Sequence, residues 1–368
     1  MHVFGIARSA RLLEGTLLKR SQPNTFENIL YTNSLARNFF LLYQIDRYLL
    51  SGLSAVWSAL RVAKVKPDYA IIYSSNILYI IPVLFFLALS RIPFCFDVVE
   101  HYQPYQYKWG NRSPFYLTYS FLFNKIYPLS GKLIGISQYL CEYFRTPTCK
   151  TLLVPVLYEV KSSTYSHCIS ESKSYESKQI LRLLYSGNPG KKEDVSTMLR
   201  SVHEFNHFNS GTSAEIHFTG TSRARLLKET NVSAIDISIL DSCAVFHEFY
   251  PYDDLIGTYK QMHFLFFVRE ATLSNLANYP TKLIELMALG IPPIISDVGD
   301  YGTLIVDGHN GFKIKESCPL SVARILQAAT SLSCWEYALM RTNAAQTIEN
   351  NNDYKLYSRA LDEFIFSI

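Results

Sequence analysis

The feature that most constrains this chain is an alternation that occurs twice. Short apolar runs, rich in β-branched and aromatic residues, are followed by longer helical stretches. In the first array the strand candidates are residues 69–75 (YAIIYSS), 94–98 (FCFDV), 132–137 (KLIGIS) and 151–155 (TLLVP), with helical stretches near 35–65, 79–89 and 114–127. In the second they are 181–186 (LRLLYS), 215–219 (EIHFT), 244–248 (AVFHE), 263–268 (HFLFFV), 293–296 (PIIS) and 312–314 (FKI). Helices fit 194–205, 251–261, 281–289 and 320–332. Strands that are apolar throughout are covered on both faces, which is the condition of parallel sheets. Parallel neighbours need long crossovers, and the helical stretches supply them. The pattern predicts an α/β fold of two Rossmann-like domains with parallel sheets, facing each other so that the carboxyl ends of the strands border one cleft.

The polar segment 159–178 (EVKSSTYSHCISESKSYESK) separates the arrays and reads as a linker or surface loop. The predicted boundaries are an N-terminal domain over 1–157, a linker over 158–179, a C-terminal domain over 180–350 and a final helix within 351–368. That helix, over 354–366, carries its own apolar stripe of Leu356, Ala360, Leu361 and Phe364. The length of 368 residues agrees with two domains.

Composition narrows the class. Hydrophobic residues make up 48% and charged residues 18%, which excludes a disordered chain. The net charge of +4 is too small to imply nucleic-acid binding. With 26 Tyr and 23 Phe, and a mean hydropathy of +0.05, the chain is apolar enough to raise the question of a membrane. The most apolar run, 77–89 (ILYIIPVLFFLAL), is shorter than the roughly 20 residues of a spanning helix. With Pro82 inside it, it reads as a buried core helix. The N-terminus lacks the apolar region of a secretory signal. Seven scattered Cys with no CxxC point to a reducing cytoplasm and away from a structural zinc.

The sharpest local signal is YSGNPGKKED, residues 185–194, between a strand and a helix. Gly187 and Gly190 let backbone approach a ligand on either side of Asn188. The helix N-terminus and the charges of Lys191 and Lys192 suit a diphosphate. An ordinary turn with solvated lysines fits these residues equally well. A second signal joins FVRE (267–270), NYPTKLIE (278–285) and ALGIP (288–292). Pro280 is placed to open a helix, so the backbone around Asn278, Tyr279, Thr281 and Lys282 would point into the cleft. Glu285, one turn on, suits a ribose diol, and the planar fork of Arg269 suits phosphate. The plainer alternatives are a surface carboxylate and a surface ion pair with Glu270. Asp97 stands near the end of FCFDV, with Glu100 and His101 just beyond it; they are candidates for acid–base work or for a charged turn.

Taken in order and about ninety residues apart, YSGNPGKKED and NYPTKLIELMALGIPPIIS resemble retaining GT-B glycosyltransferases of family four. Many such enzymes build bacterial capsule, O-antigen or exopolysaccharide. The resemblance covers Ile180 to about Asn350, and extends more weakly through KPDYAIIYSS, IPFCFDVVE and GKLIGISQYL. It implies a nucleotide-diphosphate sugar as donor and a growing, lipid-linked glycan as acceptor. It implies no cofactor and no metal, and work at the inner face of the cytoplasmic membrane.

Residue by residue, the basic group of the family's first loop falls on Lys191 or Lys192, with Lys192 preferred. Asn188 stands where the family has Arg, so Arg269 would supply that charge. The second acid of the acid–seven residues–acid element is Glu285. The first falls on Ala277, which puts donor contacts in question; Lys282, within the element, is placed to compensate. Glu100 is the first choice to face the reacting carbon, His101 the second. Ser137 matches the family's Ile-Ser pair and is expected to cap the next helix. A relic that binds without turnover, and a sugar-nucleotide epimerase on the same fold, are the alternatives.

Three further expectations remain. Asp253 and Asp254 would cap a helix. His203-Glu204-Phe205-Asn206-His207 matches a zinc pattern, but its helix is expected to end before both His share one face. The first βα unit of the N-terminal domain is expected to be missing. The aromatic cluster Tyr102, Tyr105, Tyr107, Trp109, Tyr116, Tyr119 and Phe121, with Lys108 and Arg112, would meet a membrane interface or fill a core.

Overall fold

The computed structural model describes residues 5–7, 29–31, 68–160, 180–209, 211–230, 232–247 and 252–366. The predicted helix over 35–65, most of the 159–178 segment and most of what bears on a missing first βα unit lie outside them. The chain divides into two units: Met1–Val98, Tyr107–Ile134 and Arg145–Lys150 in the first; Val99–Gln106, Gly135–Phe144 and Thr151–Ile368 in the second. The segments 99–106 and 135–144, each following a strand of the first array, therefore belong to the second unit.

In the first unit β1 (Gly5–Ala7) pairs in parallel with β2 (Ile29–Tyr31). A separate sheet holds β3 (Ala70–Ile72), β4 (Phe94–Val98), β5 (Lys132–Gly135) and β6 (Lys150–Leu153) in chain order, so successive crossovers step the same way. Cys95, Phe96, Val98, Leu122, Phe123, Tyr127 and Leu133 are buried in this unit.

The apolar run folds as the helix Ile77–Ser90. It is capped by Asn76, whose side chain accepts from the Leu78 amide at 3.0 Å, and ended by Arg91 at φ 53°. The core placement expected for it does not hold. Only Ile80 and Leu87 are buried, while Phe85 is 71% and Leu89 74% exposed. A helix lying on one face of a sheet buries one stripe, and its other sides stay wet unless a further layer covers them.

Asp97, next to last in β4, carries a pH prediction. Burial pushes its carboxyl up to about 6. Between roughly pH 4, where an unfolded aspartate titrates, and pH 6 the native state holds a proton that the unfolded chain has released. Stability therefore falls as pH rises through that window and is flat above it. Asp97→Asn is expected to raise the melting temperature at pH 7.5 by about 2–6 °C and leave it unchanged near pH 4. Equal melting temperatures at pH 7.5 would show that the Asp97 charge costs nothing.

The second unit carries β7 (Ile180–Ser186), β8 (Ser213–Thr219), β9 (Ala244–Phe246), β10 (Phe264–Phe267), β11 (Pro293–Ser296) and β12 (Phe312–Ile314). They form one parallel sheet in the order β12-β11-β10-β7-β8-β9. Numbered within the unit this is the doubly wound 3-2-1-4-5-6 order, read from the other edge. The chain reverses direction across the sheet between β7 and β10, and such a switch point leaves a crevice at the carboxyl ends of its two strands.

The sequence reading missed the helix Cys334–Asn352, in which Tyr337, Met340, Ala344, Ala345 and Ile348 are buried. Its buried Arg341 donates from Nε to the Gly290 carbonyl at 2.9 Å. The helix Val195–Phe208 runs past its expected end, so His203 and His207 share one helix; both are exposed. Asp253 and Asp254 lie inside the helix Tyr252–Tyr259 rather than before it. Among the described residues no group of three potential metal ligands occurs, and no helix is long and apolar enough to cross a membrane.

Candidate functional site

Both predicted loops leave the strands that border the switch point. The 185–194 loop follows β7, and Arg269 lies two residues beyond β10. Gly187 is required by its backbone: φ is +129°, and its amide donates to the Thr219 carbonyl at 2.9 Å. Asp194 closes the loop by capping the helix Val195–Phe208 through the Thr197 amide at 3.0 Å.

The two loops are stapled together. Asp194 N donates to Val268 O at 2.8 Å, and the buried Asn275 donates from Nδ2 to the carbonyls of Lys192 (3.1 Å) and Glu270 (2.9 Å). The strongest staple is Arg269. It is buried, and its partner is Glu193 rather than Glu270. Nε and Nη2 donate to Glu193 Oε1 at 3.2 and 2.6 Å, and Nη1 donates to Asn278 Oδ1 at 3.1 Å. The guanidinium lies over the rings of Phe267 and Tyr301, 4.9 and 5.8 Å from their centroids. The other oxygen of Glu193 accepts from the Gly190 amide at 3.0 Å, so this pair fixes the middle of the glycine loop.

On this frame three expected residues converge. Lys192 Nζ lies 3.1 Å from Glu100 Oε1, and Asn278 Nδ2 donates to the same oxygen at 3.4 Å. Lys191 is exposed and donates to the Tyr105 carbonyl at 2.7 Å. His101 faces Tyr139. Its Nδ1 is 2.9 Å from the Tyr139 hydroxyl, it stacks on that ring, and burial lowers its pKa. Asp97 belongs to the first unit.

Glu285 lies on the helix Thr281–Ala288, whose first residue, Thr281, is exposed. Lys282 Nζ holds Glu285 Oε2 at 2.6 Å and sits 5.8 Å from the centre of the Tyr259 ring. Burial works against the Lys282 charge, but Glu285 and Tyr259 raise its pKa overall. Tyr259 Oη is 2.6 Å from Ser186 Oγ, which ties this pair to the end of β7. Glu285 Oε1 is buried with no hydrogen-bond partner, an acceptor that a ligand hydroxyl would satisfy.

Two expected contacts are spent elsewhere. Asn188 bonds Glu229 and Thr221, and Tyr279 is packed in the core of the unit. Ser137, buried, accepts from Leu140 N at 3.4 Å and donates to the Ala277 carbonyl at 3.0 Å, so it caps its helix and steadies the second loop. Glu193, Asn275 and Tyr259 were not among the expected residues. The only trace of Glu193 in the sequence is its carboxylate beside two lysines.

No protein-family model matches the chain, and no curated protein does either. Solved structures match over most of it. A glycosyltransferase from Rickettsia africae is similar at 14% identity and TM-score 0.62, with 91% of this chain and 84% of that one covered. Sucrose-phosphate synthase from Thermosynechococcus elongatus is similar at 11% identity and TM-score 0.63, covering 94% and 85%. HepE from Anabaena, solved with UDP and glucose, is similar at 12% identity and TM-score 0.60, covering 93% and 86%. With its two parallel sheets, the chain has the GT-B glycosyltransferase fold.

Proposed function

We propose that the chain transfers a hexosyl-type sugar, with retention of configuration, from a nucleotide-diphosphate sugar to a glycan acceptor. The observation that carries the reading is the gathering of Lys192, Glu100, Asn278 and the half-paired Glu285 at the switch point of a doubly wound sheet. Ligands of open α/β sheets bind there. Lys192 and Lys191 take the diphosphate; Glu285 accepts from the ribose diol through Oε1. Arg269, whose fork is occupied by Glu193 and Asn278, holds the loop that presents the lysines. Glu100 is the carboxylate placed to stabilise positive charge developing at the transferred carbon. HepE, which shares the fold, holds UDP and glucose. The acceptor is a lipid-linked surface glycan under assembly, met at the inner face of the cytoplasmic membrane.

The test has two stages. A thermal-shift screen over UDP-, GDP- and dTDP-sugars identifies the donor. The anomeric proton coupling of donor and product is then compared by NMR. The expected result is one stabilising donor and the same anomeric configuration in the product. Inversion would refute retention, and stabilisation without turnover would favour a binding-only relic.

A further inference from the structure

The segment Val99–Gln106, which follows β4, is tied to the rest of the second unit by a row of polar contacts. Two of them sit on lysines. Glu100 Oε1 lies 3.1 Å from Lys192 Nζ, and the Tyr105 carbonyl accepts from Lys191 Nζ at 2.7 Å. Two others sit on neutral groups. His101 Nδ1 lies 2.9 Å from the Tyr139 hydroxyl, and the Tyr105 hydroxyl lies 2.9 Å from Ser274 Oγ. Ser274 is buried in the short helix Leu273–Ala277, which leads into the second loop. Between the anchors Pro104–Gln106 form one tight turn. In it Gln106 N donates to the Gln103 carbonyl at 3.0 Å, and Gln103 N donates to the Gln106 side chain at 2.7 Å. Of the aromatic cluster in the sequence, Tyr119 is buried, Trp109 and Phe121 are exposed, and Tyr105 is tied at both its carbonyl and its hydroxyl.

These contacts engage the two cations of the glycine loop. The Glu100 and Lys192 side chains are 27% and 19% exposed, so water and salt screen the pair only in part. A diphosphate on Lys192 would bring like charge against the Glu100 carboxylate, and the two anions cannot share that ammonium without strong repulsion. The Tyr105 carbonyl takes one of the three donors of Lys191 and aims the side chain at the segment. The ties to Tyr139 and Ser274 touch neither lysine. They set how firmly the segment is held, and so how hard it is to displace.

We propose that Val99–Gln106 is an autoinhibitory strap, which holds Lys191 and Lys192 in place of an anionic ligand and which a diphosphate must displace in order to bind. The proposal rests on reading those lysines as diphosphate ligands. Its test is hydrogen–deuterium exchange of the full chain with inorganic diphosphate and with UDP, GDP and dTDP, beside titrations of the same ligands. Exchange across 99–106, where the Gln103 and Gln106 amides report, is expected to rise about two- to tenfold on binding, the scale of one or two hydrogen bonds. Exchange across 186–194 is expected to slow. Tyr105→Phe keeps the ring and removes the tie to Ser274. It is expected to loosen 99–106 before any ligand is added, and to tighten diphosphate binding by about two- to fivefold. Ser274→Ala is expected to do the same, and the double variant no more than either, because all three lack one bond. Slowed or unchanged exchange across 99–106 at saturating ligand overturns the proposal. So does a lowered melting temperature with unchanged or weaker affinity, which makes the Tyr105–Ser274 contact structural only. Release of the strap by inorganic diphosphate, with no nucleoside diphosphate bound, would contradict the nucleotide-sugar reading and leave the strap standing. Binding of none of the four ligands, by wild type or Tyr105→Phe, would overturn both.

Discussion

Arg269→Met is expected to lower the melting temperature by on the order of 10 °C, and adding Glu193→Leu to recover much of that loss. The single change leaves a carboxylate whose side chain is 5% exposed without its counter-ion. Removing one partner of a buried pair costs about 3–5 kcal/mol, whereas replacing both with apolar groups is often neutral. A loss of that size is worth roughly 2–4 °C per kcal/mol in a domain of this length. The loss is expected to spread to ligand binding, because Gly190 and Asn278 hang on the same pair. Calorimetric melting of the single and double variants checks this. A single variant that melts like wild type but binds diphosphate weakly would return Arg269 to the role of a direct phosphate ligand.

Glu100→Gln is expected to separate binding from turnover. In the free protein Glu100 Oε1 sits on Lys192 Nζ, the charge proposed to hold the diphosphate. Removing the carboxylate frees Lys192, so nucleoside-diphosphate affinity is expected to rise by about two- to fivefold, the scale of a partly exposed pair. Transfer is expected to fall by about 10²–10⁴-fold, because the group proposed to face the developing cation is gone. Steady-state kinetics with titration calorimetry read both. A variant that keeps its kcat would make Glu100 only a counter-ion of Lys192, and His101, in its aromatic setting, would become the group to substitute next.

The fold was legible because its signals are local. β4, β11 and β12 fall on their predicted residues, and the glycine loop lies between a strand and a helix as its spacing required. The sheet order was not legible, since it depends on which apolar strands meet. Helix Cys334–Asn352 escaped because its buried stripe, Tyr337, Met340, Ala344 and Ile348, includes the charged Arg341, while Trp335 and Leu339 stand exposed on the opposite side and blur the pattern. The exposure of Phe85 and Leu89 escaped for the opposite reason. An all-apolar run looks like core, and only the placement of the sheet shows that one stripe is covered.

At the site, residue types at the right offsets pointed to Lys192, Glu100 and Glu285, but not to their contacts. The planar fork of Arg269 suits phosphate by its chemistry, but its partner in the structure, Glu193, is adjacent only in space and so could not be read from the sequence.

The central claim is that the carboxyl ends of β7 and β10 hold a nucleoside diphosphate through Lys192 and Glu285. Isothermal titration of UDP, GDP and dTDP into wild type, Lys192→Ala and Glu285→Ala tests it most directly. One diphosphate is expected to bind wild type saturably, and each substitution to weaken it by about 10–100-fold, the loss of one charge-assisted contact. No binding by any of the three, or equal affinity in wild type and both variants, would contradict it.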